Sequence, residues 1–145
     1  MKTLTRMRDE RGSAAVEAAV GVPAFVLFVG LIIFGGRTAT THSAVESAAA
    51  DAARTASITR TASEAKQAAK TAAQASLANQ DIHCLSVTVT VDVSDFAKTV
   101  GQDGSVSATV ECLLDLADLS VPGVPGSRLI KATSTSPLDT FRERG

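Results

Sequence analysis

Three groups of side chains have types and spacings that bear on chemistry. The first is Glu17, an acid five residues past Gly12 at the mouth of an apolar run. A carboxylate beside an apolar phase is costly unless it is paired, so this position calls for a partner. The second is Cys84 and Cys112, the only two cysteines in the chain. They form a disulfide in an oxidising compartment and stay as thiols in a reducing one. The third is Asp81, His83 and Cys84, three metal-capable residues on one short segment. No second cluster stands elsewhere to complete a site, and His42 and His83 are too few for most histidine-based centres.

No further constellation emerges. Glycines occur singly or in pairs, without a phosphate-cradling pattern. No nucleophile stands beside a convincing base. The sequence therefore reads as a non-enzyme with no cofactor, no metal and no small-molecule substrate. Net charge is −1, aromatic content is 3%, and Trp and Tyr are absent, which argues against a nucleic-acid partner.

The elements around these residues fall into an α+β order: a long N-terminal helix, membrane-spanning and then alanine-rich, followed by a small antiparallel sheet of about three strands. Residues 1–12 are a charged head, with Lys2, Arg6, Arg8 and Arg11 against Asp9 and Glu10. From Ala18 to Gly36 the chain runs 19 residues without a charge. That is close to the ~20 residues a helix needs to cross hydrocarbon. Pro23 lies inside this run and is expected to kink it rather than end it. A membrane helix over 13–37 follows. Basic residues crowd its N-terminal side, so the N-terminus is expected in the cytoplasm and the remainder outside, in the cell membrane as a single-pass protein.

Residues 38–80 are alanine-rich, without Pro or Gly, and predict a helical stalk. Val45, Ala49, Ala52 and Ala56 recur at helical spacing, as do Ala65, Ala68, Ala72 and Ala75. These faces suit either a solvated stalk or close packing against other subunits. Gly35 and Gly36 are a possible hinge between the membrane helix and the stalk.

Residues 81–136 read as an extracytoplasmic β domain, and 137–145 as a polar tail. Leu85 to Val93 and Ser105 to Leu116 alternate with period two, and Arg128 to Thr135 is a third strand. Such a sheet needs a cover, and the distal helix offers the available apolar surface. With this topology both cysteines lie where disulfides persist. A Cys84–Cys112 bridge would close a loop of about 29 residues, worth roughly 3.6 kcal/mol by chain entropy. Alternation, however, sets Leu85, Val87, Val89 and Val91 on one face and Cys84 on the other, while Cys112 shares the apolar face of its own strand. Paired antiparallel residues point to the same side, so a regular ladder cannot join them. A bulge, or a Cys84 lying before the strand proper, is expected to absorb one residue.

Three mechanisms compete for the first 40 residues: a cleaved secretory signal, an uncleaved anchor, and a leader cut on the cytoplasmic side. The secretory signal fits poorly, because the apolar run is long and GGRTATTHS offers no A-x-A site. Arg11, Gly12, Ser13 and Glu17 resemble a prepilin-type leader. Cutting after Gly12 would make Ser13 the new N-terminus and Glu17 the fifth residue. Further on, Pro23, the long aliphatic run, Gly36 with Arg37, and Ala48 to Arg54 make the segment Arg11 to Ala56 similar to the TadE-like family of pilus-assembly proteins. The two-cysteine strands and SPLDTFRER look similar to actinobacterial versions. The sequence departs from the family in lacking aromatics after Phe34 in the alanine-rich segment.

The resemblance implies a minor pilin or pseudopilin of a Tad-type pilus or secretion system. Its implied partners are the membrane, other pilin-like subunits, a prepilin peptidase and the pilus assembly machinery. It also gives Glu17 a candidate partner, the new amine at Ser13 of this or a neighbouring subunit. The helix dipole is the simpler account of Glu17. An alternative for the whole chain is an envelope binding module tethered by an uncleaved anchor.

Overall fold

In the computed structural model, residues 11–119 and 122–141 are described, with side chains from Ala14 onward. Helix α1 runs without interruption from Arg11 to Ser57, 47 residues or about 70 Å. Gly35 and Gly36 lie within it as ordinary helical residues, so they form no break between the apolar and alanine-rich parts. Pro23 is also internal to α1.

The alanine-rich region is not a single stalk over 38–80. It folds back on itself. After Ser57 the chain meets Ile58, Thr59, Arg60 and Thr61, where β-branched and hydroxyl side chains compete with helix. Ser57 Oγ donates to the Arg54 carbonyl and Thr59 Oγ1 to the Ala56 carbonyl, both at 2.8 Å, occupying the acceptors at the helix end. Thr61 then caps α2 (Ala62–Asn79): its Oγ1 accepts from the Glu64 N–H at 3.2 Å. This is the Thr-x-x-Glu spacing of a helix start. α2 ends in a Schellman turn: Ile82 N–H reaches the Leu77 carbonyl and Asp81 N–H the Ala78 carbonyl, with Asp81 at φ 53°.

Three strands follow: β1 (Cys84–Asp92), β2 (Gly104–Asp115) and β3 (Ser127–Leu138). They form an antiparallel meander in the order β1-β2-β3. A short 3₁₀ turn, Ser94–Ala97, joins the first two strands and buries Phe96; another, Ala117–Leu119, follows β2. β3 extends to Leu138, past the boundary expected at residue 136, so the tail begins as strand. Pro137 is accommodated there because β3 is an edge.

Helices cover one face of the sheet, α1 over β2 and β3 and α2 over β1. The core is alanine against valine and leucine. Val45, Ala48, Ala49, Ala52 and Ala56 of α1, and Ala65, Ala69, Ala73 and Leu77 of α2, meet Val106, Ala108, Val110, Cys112 and Leu116. The first expected stripe, Val45 to Ala56, is buried completely. The second is shifted by one residue. Ala65 is buried, but past it Ala69, Ala73 and Ser76 take the places of Ala68, Ala72 and Ala75, because α2 turns its face toward α1 and the sheet together.

Candidate functional site

From Ala14 to Phe28 every residue of α1 is exposed among the described residues. Val16, Val20, Val22, Phe25, Val26, Phe28, Leu31 and Ile32 are each more than half exposed. Each such side chain gains about 1.5–3 kcal/mol on leaving water, so a helix apolar on all sides calls for an apolar surrounding. The helix from Ala14 is the candidate membrane span among the described residues, with a mean hydropathy of 2.5 over its most apolar stretch.

Glu17 sits exposed near the start of this helix, with no ion pair or hydrogen bond among the described residues. The described part of α1 opens at Arg11, and Glu17 lies six residues further along it. Gly12 and Ser13 both lie within α1. The rest of the expected leader, residues 1–10, and the tail from residue 142 lie outside the described residues.

At the other end of the apolar run, Arg37 makes a two-pronged contact with Asp118, Nη1 lying 2.8 Å from both carboxylate oxygens. Asp118 comes from the 3₁₀ turn after β2, 81 residues on, so the contact ties the end of the apolar helix to the sheet. The pair forms one wall of an open cleft whose other residues include Thr41, Asp81, His83 and Asp115. Sequence reading marked Arg37 but not its partner, because nothing local to Asp118 distinguishes it from other surface acids.

Asp81 and His83 are explained by turn chemistry. Asp81 holds the left-handed position that ends α2, and its carbonyl accepts from His83 Nδ1 at 3.1 Å. No group of three or more His, Cys, Asp or Glu among the described residues is placed to hold a metal ion.

Cys84 and Cys112 form a disulfide with Cα atoms 5.4 Å apart. The ladder shifts register between Cys84 and Ser86, leaving Leu85 as an extra residue. This is the expected bulge. Cys84 thereby turns toward the helices with Val87, Val89 and Val91, while Leu85 leaves that set and is 59% exposed. The expectation that Leu85 belongs to the inward face is corrected by the same bulge.

Fold and site together define an α+β protein in which one candidate membrane helix continues into a disulfide-closed helix-and-sheet domain. Residues 12–54 match the family model described as TadE-like protein, so the TadE-like character read from the N-terminal helix is shown over that segment. The match spans the apolar run, Glu17, Arg37 and the first buried alanines, and stops before α2. No curated protein and no solved structure matches the chain.

Proposed function

We propose that this chain is a minor pilin or pseudopilin of a Tad-type pilus or secretion system. It is not an enzyme. A prepilin peptidase cuts between Gly12 and Ser13 on the cytoplasmic face, and the helix stays in the membrane with the disulfide-closed domain outside. The observation that carries the reading is the family match beginning at Gly12 and continuing through the apolar part of α1, whose large side chains from Val16 to Phe28 are exposed. Such a surface suits both lipid and the helices of neighbouring subunits, so the same helix can pass from the bilayer into an assembly.

Glu17 sets the axial position in that assembly by pairing with the amine that cleavage creates at Ser13 of its own or a neighbouring chain. A carboxylate facing apolar surroundings gains most from such a partner. The tethered binding module gains no comparable support, since Glu17 has no role in a plain anchor. Glu17→Gln keeps the shape and removes the charge. It is expected to leave cleavage intact, scored separately by N-terminal sequencing, and to lower recovery in sheared or crosslinked assemblies at least about tenfold, the loss of ~1.4 kcal/mol. Normal incorporation of the variant would sink the role given to Glu17.

A further inference from the structure

The outer face of the sheet changes character along its length. The cross-strand row Thr90, Thr109 and Thr133 is made of hydroxyls, with Thr109 and Thr133 bonded at 2.8 Å. The next row holds Thr88 and the ion pair of Glu111 with Lys131 at 2.9 Å. The row after that is apolar. Leu113 pairs with Leu129, which is 58% exposed, and the bulge puts Leu85 beside them, 59% exposed.

This leucine row lies at the end of the sheet nearest the apolar helix. Leu114 and Asp115 share the cleft with Arg37 and Thr41, and Asp118 is bound to Arg37. The opposite end of the sheet lies at Ser57, whose hydroxyl meets that of Ser136 at 3.1 Å. Arg37 is the first charge after the apolar run. Thr41 is four residues on, about 6 Å along the helix axis. The headgroup zone of one leaflet is roughly 5–7 Å deep, and the usual helix tilt of ~20° lowers one side of the domain by several Å more. A tilt toward the sheet would bring the leucines to headgroup depth.

We infer that Leu85, Leu113 and Leu129 form a foot that rests in the headgroup region of the membrane crossed by α1. The partner is a lipid surface, met through apolar burial rather than charge, since the adjoining cleft mixes Arg37 and His83 with Asp81, Asp115 and Asp118. On the outer face of the sheet the exposed leucines lie only in the row beside the membrane helix, which favours lipid over a protein partner; the exposed Ile58, Val100 and Phe141 lie in turns at the far end. The inference rests on the membrane reading of α1, and its test separates the two.

The chain has no Trp, so one introduced indole is an unambiguous reporter. Full-length Phe25→Trp, Leu129→Trp and Thr133→Trp would each be placed in phosphatidylcholine vesicles, with and without lipids brominated near the carbonyl end of the acyl chains. Thr133 shares the face of Leu129 but lies about 13 Å further along β3. The expected result is quenching of Phe25→Trp and Leu129→Trp, with Thr133→Trp unchanged. Quenching at position 25 with equal, unquenched emission at 129 and 133 would overturn the foot and leave the membrane helix standing. A blue-shifted but unquenched indole at 129 would mean a protein covers the row, which also overturns it. No quenching at position 25 would overturn the membrane reading and the foot together.

Discussion

Cys84 stands opposite Leu114 in the ladder and Cys112 opposite Val87, yet the two cysteines are bridged with Cα atoms 5.4 Å apart. A diagonal in a regular ladder spans about 7–8 Å, beyond the reach of a disulfide. The register shift at Leu85 restores the common face and coincides with the shortened diagonal. One extra residue thus lets the apolar faces match and the bridge close.

The bulge reverses the roles that alternation assigns to two neighbouring apolar residues. Leu85→Asp is expected to change stability by no more than about 0.5 kcal/mol, as for a surface site. Val87→Asp, turned toward the helices, is expected to cost about 2 kcal/mol or more through burial of an unpaired polar group. Denaturant midpoints of the full chain in detergent would check both. Equal costs would mean that Leu85 packs inward.

The alanines of α1 and α2 pack within this chain. Ala52 is fully buried, so Ala52→Leu is expected to overpack the core and cost about 1–3 kcal/mol. Ala75 belongs to the stripe expected from spacing but is exposed on α2, and Ala75→Leu should stay within about 0.5 kcal/mol. Thermal unfolding monitored by far-ultraviolet circular dichroism separates the two. A neutral Ala52→Leu would restore the picture of a solvated stalk.

The Arg37–Asp118 contact positions more than it stabilises. Its side chains are 46% and 59% exposed, and exposed pairs contribute about 0.2–1 kcal/mol. A double-mutant cycle with Arg37→Ala and Asp118→Ala should return a coupling in that range, falling as salt is raised. A coupling above about 2 kcal/mol would show that the pair is withdrawn from water, contrary to its exposed geometry.

Much of this architecture is legible in the sequence because its causes are local. The apolar run, the period-two strands and the need for a bulge follow from residue types and parity within a few positions. The break between the helices is not legible from composition, because residues 38–80 lack Pro and Gly; its one local mark is the Thr61 to Glu64 spacing. The face of α2 was not legible. Alanine occupies almost every candidate position there, so spacing alone cannot tell Ala68 from Ala69. The partner of Arg37 lies 81 residues away with no local mark. For the candidate site, Gly12, Ser13 and Glu17 were marked by order and offset. The chemistry proposed for them depends on cleavage, which no packing pattern records.

In the proposed function the apolar helix survives processing, and the cut creates a new amine at Ser13, four residues before Glu17. Intact mass and N-terminal sequencing of the membrane-extracted protein, from cells with an active prepilin peptidase, test it most directly. A mature chain beginning at Ser13 is expected, and full-length protein when Gly12→Val blocks the cut. A chain beginning at Met1 beside an active peptidase, or one that starts beyond Gly36 with the apolar helix gone, would contradict it.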